Sequence, residues 1–211
     1  MAATSSESIA LIGCGGHAKV VLSTLQEAGH SVEAIFDDNP EKWGTQLLGI
    51  PVRGSLSELS SEGFRRALIA VGNNAARARI AGQFRDVEWV TAVHPRSYVH
   101  PTVTVGEGCV IFAGAVIQPD TSIGAHSIIN TGATVDHDCM ISSYVHVAPG
   151  AHLAGSVKVK EGALIGIGAA VGPGCHIGEW TVIGAGSVVL QDVSSHVTAV
   201  GVPAIPLRKK E

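Results

Sequence analysis

The sequence predicts a small α/β unit with a parallel sheet, followed by a stack of short parallel strands wound into a β-helix. Three observations predict it. Apolar strands alternate with a helical pattern over the first 95 residues, a six-residue repeat runs unbroken from Val99, and the composition is rich in glycine (26 residues) but low in charged (15%) and aromatic (4%) residues. Such a composition suits close-packed short strands better than helix bundles.

The first unit, residues 1–95, opens with an apolar strand, Ile9 to Ile12, and a glycine turn. A helix pattern follows over Lys19 to Ala28, then a second strand ending at Asp37-Asp38 and a third over Ala67 to Val71. Alternating strand and helix implies a parallel, Rossmann-like sheet. Ligands of such sheets bind at the carboxyl ends of the strands.

Three segments fall at those ends: Gly13-Cys14-Gly15-Gly16-His17, Asp37-Asp38, and Gly72-Asn73-Asn74 with Arg77 one turn later. Glycines let a phosphate approach backbone amides at a helix start. A carboxylate after the second strand accepts hydrogen bonds from a ribose or a base. Gly15, Gly16, His17, Asp37, Asp38, Gly72 and Asn73 are therefore the candidates for holding a nucleotide diphosphate. Gly13, Gly15 and Ala18 also satisfy the G-x-G-x-x-A dinucleotide pattern, with an acid about 20 residues on. Some 90 residues hold only half of a dinucleotide fold, however, and no apparatus for hydride transfer follows. A plain tight turn is the remaining alternative for this loop.

The second unit, residues 96–193, is defined by the repeat. Val99, Val105, Ile111, Ile117, Ile123, Ile129, Val135, Ile141, Val147, Leu153, Val159, Ile165, Val171, Ile177, Ile183 and Val189 lead sixteen successive hexads. Four residues after each stands a small residue or Val, from Val103, Cys109, Ala115, Thr121 and Ser127 to Val193. In a helix, six residues at about 100° each put successive aliphatics on three different sides, so no stripe can be buried. Turn-prone residues such as Gly106, Gly124, Asn130, Gly166, Gly172, Gly178 and Gly184 break a single long strand. Stacked coils that bury the aliphatic column satisfy both constraints. A C-terminal tail, 194–211, ends in Arg208-Lys209-Lys210, which reads as a solvated basic segment.

With a net charge of -4 and no long block of like charge, the chain lacks the footprint of a nucleic-acid binder. The N-terminus carries no basic n-region, and Ile9 to Ile12 is too short for a signal peptide or a membrane span, so a cytoplasmic enzyme without a membrane partner is expected. Cys109, Cys139 and Cys175 share one repeat position with Ala, Ser and Thr and read as small core fillers. No CxxC spacing points to a metal or disulfide. Cys14, in the glycine loop, has no base paired to it in the sequence.

Among ten histidines, His30, His126, His152, His176 and His196 have no acidic neighbour in sequence and are expected at the surface. His137 differs. It occupies the third place of its hexad, pointing away from the core, between Asp136 and Asp138, either of which can orient its ring. Gly155 follows it by 18 residues, three hexads on, so a coil of that length would stand it directly above the ring.

Taken together, Gly13 to His17, Phe36-Asp37-Asp38, Gly72-Asn73-Asn74, the stretch Asn130-Thr131 through Asp136-His137-Asp138-Cys139, His146 and Gly201-Val202-Pro203-Ala204 resemble the hexapeptide-repeat sugar acetyltransferases, the family of the sialic acid O-acetyltransferases and the UDP-4-amino-sugar N-acetyltransferases of bacillosamine synthesis. The resemblance implies a left-handed β-helix of three hexads per coil. Ninety residues from Val99 then make about five coils, roughly 24 Å high at the usual strand spacing.

It further implies acetyl-CoA as co-substrate, no metal, and a homotrimer with shared sites. His137 would be the general base and Asp138 its partner, Asn130 a substrate contact, and His146, Gly155, Ile167 and Ala185 the contacts for acetyl-CoA. The acceptor implied is the amino group of a nucleotide-linked 4-amino-4,6-dideoxy sugar, acetylated by direct transfer without a covalent enzyme intermediate. Three alternatives remain: O-acetylation of a sialic-acid-type sugar, a non-catalytic nucleotide-binding scaffold, and a γ-class carbonic anhydrase. The last needs two zinc-binding histidines five residues apart, a spacing absent here.

Overall fold

The computed structural model describes residues 8–207. The chain divides into two compact units, Met1–Pro95 and Arg96–Glu211. The Arg208-Lys209-Lys210 segment lies outside the described residues.

The first unit is a six-stranded sheet. Its strands are β1 (Ile9–Ile12), β2 (Val32–Phe36), β3 (Gln46–Leu47), β4 (Ile50–Gly54), β5 (Arg66–Ile69) and β6 (Glu88–Trp89), in the order β3-β4-β2-β1-β5-β6. All pairings are parallel except the β3/β4 hairpin. Strand β1 reads Ile-Ala-Leu-Ile without alternation because it is buried on both faces.

Helix α1 (Gly16–Glu27) buries Ala18, Val21, Leu22 and Leu25, the i, i+3, i+4, i+7 set of one helical face. It begins three residues before the expected Lys19, since Gly15 serves as N-cap and Gly16-His17 already belong to the first turn. Helix α2 (Asn74–Gln83) and the hairpin were not anticipated. The α2 sequence, with two arginines and five alanines or glycines, carries almost no amphipathic pattern. It begins where Asn73 caps it through Ala76 N at 2.8 Å.

Pairing of Ile12 with both Phe36 and Ile69 brings the carboxyl ends of β1, β2 and β5 level. Gly13 leaves β1 at φ +103°, and a Cβ there would lie 2.9 Å from Val71 Cγ2. Only glycine fits this exit.

The second unit is a left-handed parallel β-helix with three faces. One face stacks Val110–Ile111, Ile128–Ile129, His146–Val147, Leu164–Ile165 and Val182–Ile183. The second stacks Tyr98–Val99, Val116–Ile117, Thr134–Val135, His152–Leu153, Ala170–Val171 and Val188–Val189. The third stacks Thr104–Val105, Ser122–Ile123, Met140–Ile141, Lys158–Val159 and His176–Ile177. Every partner is 18 residues away, as a coil of three hexads requires. Thr198–Val200 then extends the first face, and Ile205–Pro206 closes it antiparallel.

From Ile111 onward the leading aliphatics are buried, and from Cys109 so are the small residues four places after each lead. Where the latter carry a polar atom, the next coil satisfies it. Thr121 Oγ1 donates to Asp136 O (2.8 Å), Ser127 Oγ to Ser142 O (2.9 Å) and Cys139 Sγ to Ala154 O (3.2 Å). This is why Ser, Thr and Cys interchange with Ala there. Burial also pushes the Cys139 thiol up to about 11, which keeps it protonated and inert.

The chain turns each corner through a left-handed residue at the fourth place, at every sixth position from Gly108 to Gly186. Eight of these fourteen are glycine, and six are Asp120, His126, Asp138, Tyr144, Ser156 and Trp180. The left-handed conformation costs an L-residue about 1–2 kcal/mol. A buried Ile or Val contributes about 1.5–3 kcal/mol per hexad, so the aliphatic column sets the winding even where the corner is strained.

Candidate functional site

In the first unit, the predicted nucleotide-binding residues gather at the carboxyl edge of the sheet. Gly15 and Gly16 are exposed at the start of α1, whose N-cap makes no side-chain hydrogen bond and whose first turn holds no acid. The amides of that turn are therefore not claimed by a side-chain cap, the condition an anion needs.

Asp37 closes the loop. Its carboxylate accepts from Cys14 N (2.6 Å) and Asn39 N (2.8 Å). Asp38 Oδ1 accepts from Leu56 N at 3.0 Å. Each carboxylate keeps further lone pairs for a ligand. Burial, and then the Arg77 guanidinium, push His17 down to about 4, so its imidazole is neutral near pH 7. Gly72 packs on the His17 ring, while the Asn73 side chain is taken up by the α2 cap.

Arg77, expected at the ligand edge, is buried instead. Its guanidinium donates to Val71 O (3.1 Å), Gly72 O (3.3 Å) and Asn74 Oδ1 (3.0 Å). It ties the third loop to α2.

In the second unit, His137 and Asp138 sit on the edge between the second and third faces. His137 Nδ1 lies 2.7 Å from Asp138 Oδ2, while Asp136 Oδ1 accepts from the His137 backbone N–H (2.8 Å). Asp138 thus orients the ring and Asp136 the main chain. The left-handed conformation of Asp138 (φ 59°) folds its short side chain back onto the imidazole.

Hydrogen bonding to Asp138 raises the His137 pKa above its ordinary value, and the charges of Asp136 and Asp138 add to the effect. With Nδ1 donating, Nε2 presents its lone pair outward. Gly155 stands directly over the ring: a Cβ there would lie 2.6 Å from both Cε1 and Nε2 of His137.

The remaining candidates lie elsewhere on the prism. His146 belongs to the first face, while Asn130, Ile167 and Ala185 sit on the edge between the first and second faces. Thr131 N donates to Asn130 Oδ1 (2.8 Å), which leaves Asn130 Nδ2 to donate to His146 Nε2 (2.9 Å) and places the proton of the neutral His146 ring on Nδ1. Ile167 is 61% exposed and Ala185 is exposed. One whole face of the helix separates this group from His137, Asp138 and Gly155.

One histidine departs from the surface position expected of it, and another, exposed as expected, has an acidic partner. His126 is buried because, at a left-handed corner, its ring lies over Gly108 and stacks on Tyr144 with centroids 5.4 Å apart. His176 does have an acidic partner. Asp192, 16 residues on, accepts from its backbone N–H (2.8 Å) and lies 3.3 Å from its Nδ1. Sequence adjacency cannot reveal this pair, although a spacing two short of a full coil could have. It borders an open groove of about 480 Å³ with Lys158, Lys160 and Glu179. No group of three or more His, Cys, Asp or Glu positioned to hold a metal occurs among the described residues.

Comparison with known proteins places both units. Residues 8–84 match the family described as the PglD N-terminal domain, and residues 102–137 and 156–191 match the bacterial transferase hexapeptide repeats. A point mutant of perosamine N-acetyltransferase from Caulobacter crescentus, solved in complex with CoA and GDP-perosamine, is 41% identical with a TM-score of 0.92, covering 96% of this chain and 97% of that one. The acetyltransferase domain of PglB from Neisseria gonorrhoeae FA1090, in complex with acetyl coenzyme A, is 36% identical with a TM-score of 0.89, covering 95% and 99%. The UDP-N-acetylbacillosamine N-acetyltransferase of Bacillus subtilis (strain 168) is 41% identical over 119 residues, 51% of this chain and 52% of that protein. An uncharacterized protein of Acanthamoeba polyphaga mimivirus is 33% identical over 98 residues, 20% of its length. The chain thus spans about half, or less, of the curated relatives it matches.

Proposed function

We propose that this chain, which belongs to the family of hexapeptide-repeat amino-sugar N-acetyltransferases with a PglD-type N-terminal domain, transfers an acetyl group from acetyl-CoA to the amino group of a nucleotide-linked 4-amino-4,6-dideoxy sugar. The observation that carries the reading is the His137–Asp138 pair beneath Gly155. A ring held by its Nδ1 presents a basic Nε2, and it can take this position because Gly155, on the coil above, has no side chain to displace it.

In the reaction, the sugar amine attacks the thioester carbonyl and His137 Nε2 removes its proton. The tetrahedral oxyanion collapses with cleavage of the C–S bond, and the departing thiolate takes the proton from the imidazolium. Asp138 stabilises the imidazolium in between. The products are an N-acetyl sugar and CoA.

Gly15, Gly16 and the uncapped start of α1 would hold the diphosphate, with Asp37 and Asp38 toward the nucleoside. His17, being neutral, would contribute a hydrogen bond rather than a charge. His146, Gly155, Ile167 and Ala185 would line the acetyl-CoA track, with Asn130 near the acceptor. Because a full face separates the Asn130, Ile167 and Ala185 edge from His137, the track is best completed by a second copy of the chain, in keeping with a homotrimer. No helix among the described residues is long and apolar enough to cross a membrane.

The test is thiol release from acetyl-CoA against a panel of UDP- and GDP-linked 4-amino sugars and their 4-hydroxy counterparts, with wild type beside His137→Ala. Turnover on an amino sugar that falls at least about a hundredfold in the variant is expected. Near wild-type rates in the variant refute the base assignment, and preference for the hydroxyl series favours O-acetylation.

A further inference from the structure

We propose that Trp43 is the plate on which the nucleobase of the sugar nucleotide stacks, an assignment that rests on the nucleotide-sugar reading above. In the first unit Phe36, Phe64 and Trp89 are buried, whereas Trp43, one of the largest apolar side chains available, remains 41% exposed. An indole carries 150–250 Å² of burial potential, and leaving it in water forgoes that stabilisation. The ring is nonetheless held still.

Asn39 caps the short 3-10 turn Pro40–Lys42, and Trp43 N donates to Pro40 O at 3.1 Å. Its Nε1–H donates to Asp37 O at 2.7 Å. Gly44 N then joins Val52 O, so the backbone on both sides is fixed. A rigid, exposed aromatic ring with its polar edge already satisfied is preorganised for stacking, since only its π-faces are left to offer.

Its position selects the ligand. The residue that receives the indole N–H is the one whose carboxylate receives Cys14 N from the glycine loop, so Asp37 couples ring and loop in two hydrogen bonds. Lys42, next to the ring in sequence, adds a positive charge on this side of the sheet, and its field acts on Cys14 in the loop. Glycine amides and a lysine suit a diphosphate, a flat aromatic suits a base, and the lone pairs left on Asp37 and Asp38 suit ribose hydroxyls or base N–H groups. Every base has a π-face, so stacking supplies affinity for the nucleoside without choosing between purine and pyrimidine.

Calorimetric titration of the full chain with GDP, UDP and pyrophosphate, for wild type, Trp43→Leu and Trp43→Phe, tests the assignment. Leu keeps the apolar bulk but lacks the π-face, while Phe keeps the π-face but lacks the hydrogen bond. Expected are Kd values for GDP and UDP raised about 5- to 150-fold in Trp43→Leu, an unchanged Kd for pyrophosphate, and values near wild type in Trp43→Phe. Nucleotide binding by Trp43→Leu within twofold of wild type overturns the stacking role and leaves the nucleotide-sugar reading intact. Equal losses for pyrophosphate and nucleotides, with a lowered melting temperature, also overturn it, because Trp43 would then only brace the loop. A wild-type chain that binds neither GDP nor UDP removes the nucleotide reading itself.

Discussion

Gly155 lies over His137 so closely that a methyl group on its Cα would be 2.6 Å from both Cε1 and Nε2 of the ring. Gly155 does not adopt a left-handed conformation, so alanine is conformationally acceptable there and its cost falls on the imidazole. The His137 side chain is 58% exposed and can swing outward, breaking its bond to Asp138. Gly155→Ala should therefore fold with a melting temperature within a few degrees of wild type while kcat/KM falls at least tenfold. Steady-state kinetics beside a thermal melt checks this, and unimpaired kinetics would show that turnover does not need the ring to keep its seat against Gly155.

Asp138 should set the pH dependence of turnover. Its hydrogen bond stabilises the imidazolium and raises the His137 pKa above the ordinary 6.5, so the acidic limb of kcat/KM, where the base loses function by protonation, should lie above that value. Asp138→Asn removes the charge and the strong acceptor. The limb should then move to lower pH while the plateau rate drops, opposite changes that simple loss of folded protein does not produce. A profile over pH 5 to 9 distinguishes them. Asp136→Asn, which touches only the backbone N–H in the ground state, should move the limb less.

The corner between the third and first faces predicts a purely structural effect. Gly162 turns at φ +67° beneath Trp180, and a Cβ would lie 2.3 Å from Trp180 Cδ2 and Cε3. Gly162→Ala combines left-handed strain with this overlap and should cost about 2–5 kcal/mol, the sum of the two ordinary penalties. Gly150→Ala, with φ +63° and open space around it, should cost only the strain, about 1–2 kcal/mol. Denaturant unfolding of the two variants separates packing from conformation.

The contrast between these glycines also explains what could be read in advance. The aliphatic column follows from period alone, whereas the coil of 18 residues and the placement of Gly155 over His137 need the three hexads per coil that the family resemblance supplies. The left-handed corners do not show in the same way, since Tyr144 and Trp180 occupy them with residues that normally avoid that conformation. Glycines one place after the lead, such as Gly124 and Gly178, are required for another reason: the backbone of the next coil passes within 2.5 and 2.3 Å of where a Cβ would stand. In the first unit β1, β2 and α1 announce themselves by apolar pattern, whereas α2 is positioned by the Asn73 cap and the buried Arg77. Those are local polar contacts, within six residues of one another, that leave no periodic trace.

His17 should make the folded state acid-sensitive. Its pKa in the fold is about 4, against about 6.5 in the unfolded chain, because burial and Arg77 disfavour the imidazolium. Folding therefore favours the neutral ring. The stabilisation is complete above pH 6.5, where both states are unprotonated, and is lost as pH falls toward 4, because the unfolded chain binds the proton first. The total linked to this one group is at most about 3 kcal/mol, declining by about 1.4 kcal/mol per pH unit between roughly pH 6 and 4.5. His17→Gln retains a polar side chain of similar length but cannot titrate. The difference in unfolding free energy between wild type and variant, measured in urea at pH 7, 6, 5 and 4.5, should therefore shrink or change sign in that window and stay constant above it. A constant difference down to pH 4.5 would mean that the ring titrates normally, and that His17 meets the proposed diphosphate as a cation at mildly acidic pH.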